Sequence, residues 1–235
     1  MIFADLHSHL LFGVDDGADS EETMMQMLGT AYAEGIRYLC LTPHYHKGYY
    51  GDNKKRAENA YESLCEFAKR EYPDMVLLLG NELHFSSQAI EWLRSGDCRT
   101  MGKTKCVLVD FAFDKSAEEI IKALREIAGA GYMPILAHAE RYSKLRIKDI
   151  KELKQMGVLI QNNSGSFVGN FGFFAKIKAW AMVNRYLSDF VSSDAHDLHK
   201  RPIRLKRSYE LIAKKTEEGY AAHLFRDHAV KLFFR

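Results

Sequence analysis

The chain of 235 residues has no apolar run near the roughly 18 to 20 residues needed to cross a bilayer. It also has no block of one charge sign. Its 33 basic and 31 acidic residues leave a net charge near +2, so composition gives no electrostatic footprint for nucleic acid or for a membrane surface. Cysteine is scarce and scattered: Cys40, Cys65, Cys98 and Cys106 form no C-x-x-C, and two of them sit inside apolar runs where Cys packs as a small hydrophobe. That usage points to a reducing compartment. With no n-region and h-region ahead of the first strand-like residues, the cytoplasm is the expected location. Pro/Ser-rich linkers, low-complexity segments and internal repeats are missing too. Residues 1–235 are therefore read as one domain, and 47% apolar composition suffices for its core.

What is present is an alternation. Seven short aliphatic runs recur: "IFADL" from Ile2, "RYLCLT" from Arg37, "MVLLLG" from Met75, "CVLVDF" from Cys106, "MPILAH" from Met133, "VLIQN" from Val158 and "DFVSSD" from Asp189. Each is too short for a typical helix and reads as a strand. Amphipathic segments lie between most of them. One runs from Ser20 to Ala33 behind an Asp19-Ser20 cap and stops at Gly35; another spans Lys54 to Glu71. A third opens at Ser116 on the capping-box pattern Ser-Ala-Glu-Glu119, a shorter one holds Ile147, Ile150, Leu153 and Met156, and further helices are expected from Phe173 to Leu187 and beyond Ile203. Strand and helix in alternation predict an α/β fold with a parallel sheet and helical crossovers.

The polar residues at the strand ends carry the chemistry. "ADLHSHLLFGVDDG" brings His7, His9 and Asp16 to the end of the first strand; His44, Glu82, Asp110, His138, and Asp194 with His196 close five others. Only the sixth ends in amides, Gln161-Asn162-Asn163, which read as a turn and helix cap. In a parallel barrel all these ends share one rim, where active sites are built. So many imidazoles and carboxylates facing one another would be costly without cations, so a cluster of roughly two or three divalent ions is expected. The His/carboxylate mix suits Mn, Fe or Zn over Ca or Mg, and Glu82 is the candidate bridge. Asp15 is open between a ligand and a turn former with Gly17, while His46, His84, His199, His223 and His228 are expected to pack or face solvent.

Taken together, "DLHSHL", "VDDG", "TPHYH", "GNELHF", "AHAERY" and "SDAHDLHKRP" resemble the polymerase-and-histidinol-phosphatase (PHP) superfamily. "VDDG" with "HAERY" is similar to its bacterial protein-tyrosine phosphatase branch, associated with capsular and exopolysaccharide synthesis. The resemblance implies a distorted seven-stranded (β/α)7 barrel with a trinuclear site, often holding Mn or Fe and sometimes Zn. It would place His7, His9, Glu82 and Asp194 on one ion, Glu82, Asp110 and His138 on a second, and Asp16, His44 and His196 on a third. Asp110 stands where the family usually has Glu, so its reach to the second ion rests on a shorter side chain. Arg141 and Arg201 are implied to bind phosphate.

Such a site would hydrolyse a phosphate monoester with hydroxide generated by coordination, which brings the pKa of water from about 15.7 to about 7. Bidentate guanidinium contacts from Arg141 and Arg201 would steady the equatorial oxygens. A phenolate leaving group, with pKa near 10, needs no strong acid. None of the four cysteines has an Arg six positions later, which excludes the Cys-x5-Arg mechanism. The expected substrate is the phosphotyrosine-bearing tail of a bacterial tyrosine kinase, with "HKGYYGDNKKR" in contact with it. A small-molecule phosphatase, such as one for histidinol phosphate, and a non-catalytic metal-binding module are the alternatives.

Overall fold

Two of the seven runs resume, after a short gap, as a further strand segment. The computed structural model describes residues 1–50 and 53–234. Its first strand is β1 (Phe3–Asp5), followed by β2 (Ile36–Leu41), which resumes after Thr42 and Pro43 as β3 (His44–Tyr45). Pro43 has no N–H to give, so the ladder lapses there. The next run behaves alike: β4 (Val76–Leu79) pauses at Gly80 and Asn81 and continues as β5 (Glu82–His84). The remaining strands are β6 (Cys106–Asp110), β7 (Met133–Leu136), β8 (Leu159–Asn163) and β9 (Phe190–Ser192).

All pairings are parallel, in the orders β1-β2-β4 and β3-β5-β6-β7-β8-β9. The broken strands join the two sheets into one curled wall. Its first and last members meet just beyond β1 and β9, at the isolated bridge Ser8–Ala195, where the His9 N–H donates to the Ala195 carbonyl at 2.9 Å and the Asp194 N–H to the His7 carbonyl at 2.8 Å. Side chains complete this seam: the Ser193 N–H donates to Asp5 Oδ1 at 3.0 Å.

The helices form where the caps and spacing require. Ser20 accepts the Thr23 N–H to start α1 (Glu21–Glu34), and Gly35 ends it at φ 96°, a conformation that suits glycine. Then come α2 (Lys54–Glu71), α3 (Ala89–Ser95), α4 (Ala117–Gly129) behind a complete Ser116/Glu119 capping box, α5 (Ile147–Gln155), α6 (Ser164–Val168), α7 (Phe173–Val183) and α8 (Lys206–Ala213). Ala229 and Phe233 from the last helical segment pack with Ala4, Leu6, Leu108, Ile135 and Phe190 between the strands. Alternate strand residues share a face, so Asp110 continues the inward row of Cys106 and Leu108. Apolar filling at one end thus gives way to ligand-type side chains at the other.

Candidate metal centre

Side chains at the rim are aimed by groups behind them. His7 Nδ1 lies 3.2 Å from Gln161 Oε1, an oxygen that also accepts the His138 N–H at 2.7 Å, so the network puts the His7 ring proton on Nδ1. His9 Nδ1 faces Asp15 Oδ2 at 2.7 Å, and His196 Nδ1 faces the Asp194 carbonyl at 3.0 Å, with the same consequence. In each neutral ring Nε2 is then a bare lone pair. These atoms converge: His7 Nε2 and His9 Nε2 are 3.1 Å apart, and His196 Nε2 is buried without a hydrogen-bond partner.

Carboxylates face the same point. Glu82 Oε2 lies 2.9 Å from His44 Nδ1, 3.2 Å from His7 Nε2 and 3.3 Å from His9 Nε2, while Oε1 meets His138 Nε2 at 3.0 Å. Asp194 Oδ1 stands 3.4 Å from His7 Nε2 and 3.6 Å from His9 Nε2. Asp16, the exposed member, comes within 3.5 Å of both His44 Nε2 and His196 Nε2. Asp110, despite being short, brings Oδ1 to 3.5 Å from His138 Nε2, held from behind by Tyr142 Oη at 2.8 Å and His84 Nδ1 at 2.7 Å.

Lone pairs and carboxylate oxygens packed this closely need positive charge between them. Protonation shows where. Burial pulls His7 down, yet Glu82 and Asp194 override it and push it up to about 9. His44, desolvated but beside Glu82, is pushed up to about 10. Glu82 and Asp194 are held well below the carboxylate range, burial being outweighed by His7 and by other cations around them. His196 goes the other way: burial and the neighbouring His9 drive it down to about 2, so it stays a neutral donor of its lone pair. The residues present fit a divalent-cation centre.

Three sets offer donor atoms within 4.8 Å of one another: His9, Asp16, His44 and His196; His7, His9 and Asp194; and His44, Glu82 and Asp110. They cut across the expected three-ion partition, because His9 and His44 each belong to two sets, while His138 reaches the cluster through Glu82. Two of the site residues sit at positive φ, His138 at 32° and Asp194 at 54°. Such backbone costs about 1–3 kcal/mol each and persists where surrounding contacts impose it.

Arg141 and Arg201 both turn toward Asp194 Oδ2, at 3.4 and 2.6 Å, with the Phe171 ring against both guanidinium groups. With Asp16, His44, Glu82, Asp110, His138 and Asp194 they line a cavity of about 340 Å³, together with Tyr49, Tyr50 and Phe113. Tyr50 stacks on His44 with ring centroids 5.2 Å apart. Of the segment "HKGYYGDNKKR", Gly51 and Asp52 lie outside the described residues.

Asp15, His84 and the amides of β8 have a larger part in the site than the sequence reading gave them. Asp15 does shape the turn, accepting the Gly17 N–H at 3.0 Å, but it also orients His9. His84 does not merely pack or face solvent: it holds Asp110 and lines the cavity. The amides of β8 are no simple cap, since Gln161 fixes His7 and Asn163 Nδ2 donates to Asp194. The available signal was that these amides occupy the same strand-end position as the ligand-type residues.

Fold and site together define a parallel α/β barrel with a candidate divalent-cation site on its C-terminal rim. Within that class, residues 3–234 match the family model for capsular polysaccharide synthesis, CpsB/CapC, and the chain belongs to this family. It is 32% identical over 235 residues to "Tyrosine-protein phosphatase CpsB" of Streptococcus pneumoniae, covering 97% of each chain. It is also 28% identical to "Tyrosine-protein phosphatase YwqE" of Bacillus subtilis, covering 90% of this chain and 84% of that one. A crystal structure from work on YwqE and CpsB, described as "unique metal-dependent tyrosine phosphatases", superposes with a TM-score of 0.82 at 28% identity over 93% of this chain and 88% of the other. A phosphotriesterase homology protein of Escherichia coli, at 12% identity, 98% coverage of both chains and a TM-score of 0.60, shares the fold alone. No helix among the described residues is long and apolar enough to cross a membrane.

Proposed function

We propose that this protein is a metal-dependent phosphatase that hydrolyses phosphotyrosine on a protein, the tail of a bacterial tyrosine kinase, within capsular or exopolysaccharide synthesis. The observation that carries this reading is the convergence of three buried imidazoles, His7, His9 and His196, each with Nδ1 tied to an acceptor; His7 and His9 turn Nε2 toward the Glu82 and Asp194 carboxylates, and His196 turns its Nε2 toward Asp16. His7, His9, Asp16, His44, Glu82, Asp110, His138, Asp194 and His196 would hold two or three divalent ions, Mn being the expected metal and Fe or Zn the alternatives, with Glu82 shared because its two oxygens face different histidines. Bound divalent cations supply Lewis acidity and an activated water.

The chain's own residues do the rest. Arg141 and Arg201 crowd one oxygen of Asp194 and have further N–H donors to offer a phosphoryl group entering the cavity. Asn163 keeps Asp194 in place when they do so. Tyr49, Tyr50 and Phe113 give the mouth an aromatic rim suited to a tyrosine ring. Family membership and the similarity to proteins named as tyrosine phosphatases support the substrate class.

The test is metal content by elemental analysis beside phosphate release from a phosphotyrosine peptide, with and without added Mn. The expected result is bound metal with Mn-dependent release. Weak release from peptides beside fast turnover of histidinol phosphate would replace the protein substrate with a small molecule. A loaded but inactive protein would point to a non-catalytic module.

A further inference from the structure

Arg201 lines two cavities. Besides the one at the metal centre it borders a second of about 240 Å³, lined by Lys200, Arg201, Arg204 and Arg207 with Asn170 and Ser193, and by no carboxylate. Like charges do not gather round a cavity without cost. Lys200, Arg204 and Arg207 have no ion pair within 4.0 Å among the described residues, whereas Arg37, Arg99 and Arg226 do. The nearby carboxylate of Glu34 is engaged with the backbone N–H groups of Leu205 and Lys206. Arg201 itself uses one end on Asp194, while its Nε is buried and has no hydrogen-bond partner. A buried guanidinium N–H left open beside three unpaired cations marks a place prepared for an anion.

We propose that this basic cavity is a second anion subsite, which takes a phosphoryl or carboxylate group of the same polypeptide whose phosphotyrosine enters the metal centre. The inference rests on the phosphotyrosine reading above. Since Arg201 lines both cavities, a single chain can reach both, and the preferred substrate is a multiply phosphorylated or acidic tail.

The test uses peptides in which non-hydrolysable phosphonodifluoromethyl-phenylalanine replaces phosphotyrosine, with a second such residue, a Glu, or a Gln a few positions away. Binding to the metal-loaded protein is read by fluorescence anisotropy for wild type and for Arg204→Ala/Arg207→Ala, both exposed positions. The doubly anionic peptide should bind about tenfold more tightly than the Gln peptide, the double variant should erase that gap, and p-nitrophenyl phosphate turnover should stay unchanged. A gain from Glu as large as from the second phosphonate supports the site and makes charge its requirement; a larger gain from phosphonate supports it and makes phosphoryl geometry the requirement. Equal affinity for all three peptides, or an equal loss for all three in the variant, overturns the proposal. If phosphotyrosine itself is not hydrolysed while the gap persists, the catalytic reading falls and the anion site stands.

Discussion

Asp15 binds three parts of the site into one object. It accepts from His9 Nδ1 at 2.7 Å, from the His44 N–H at 2.8 Å and from the Gly17 N–H at 3.0 Å. Groups that orient a metal-bound histidine typically govern 10- to 100-fold in affinity. Asp15→Asn is therefore expected to weaken Mn binding by about that factor, measured by titrating the metal into chelated protein, with circular dichroism unchanged. Unaltered affinity would confine Asp15 to the turn. A second residue, Lys178, is paired with the Tyr142 carbonyl at 2.7 Å, and its burial lowers its pKa to about 8 against the pull of Glu140 and Asp149. Below pH 8 the ammonium is charged in both folded and unfolded chains and its burial is unfavourable. Above about 10.5 it is neutral in both and that term vanishes. Stability of wild type relative to Lys178→Met should accordingly rise between those two values; a flat difference across urea titrations would refute the assignment. At this scale the ligand-type residues were legible because chemistry and strand-end position coincide in them. Asp15, His84 and Gln161 were not, because what they do depends on a partner distant in the chain or on a turn.

Among the elements, helix starts were the most readable. Ser116 and Glu119 cap each other as their spacing predicts, the Glu119 N–H donating to Ser116 Oγ at 3.2 Å and the Ser116 N–H to Glu119 Oε2 at 2.9 Å. Ser116→Ala should cost about 1 kcal/mol in chemical denaturation with an unchanged m-value. A shift near zero would mean that packing alone holds α4. The helix α3 was missed: it has seven residues and no side-chain cap, so it carries neither a long periodicity nor a start signal. The breaks after β2 and β4 were hidden for another reason. Both runs remain aliphatic up to Leu41 and Leu79, and the gap falls just beyond them, where Pro43 cannot donate although the Gly80 N–H still reaches the Leu41 carbonyl.

For the molecule as a whole, the curled wall was foreseeable from alternation, but its closing seam was not, since one bridge leaves no trace in composition. That seam lies between the segments bearing His7 and His9 and those bearing Asp194 and His196, so cations held there would fasten the first strand to the last. Free metal at 100 times its dissociation constant adds about 2.7 kcal/mol to stability. Chelation should then lower the melting midpoint by about 5 to 10 °C for a chain of this size, recoverable on adding Mn; an unmoved midpoint would count against a cation at the seam. The seam also sets an order of events during protein synthesis. Asp194 and His196 are among the last parts of the wall to be made, and nothing translated earlier can replace them. A ribosome-bound chain lacking them holds His7, His9, His44 and His138 with Asp16, Glu82 and Asp110 but without Asp194, and competence arrives only once the last strand has emerged.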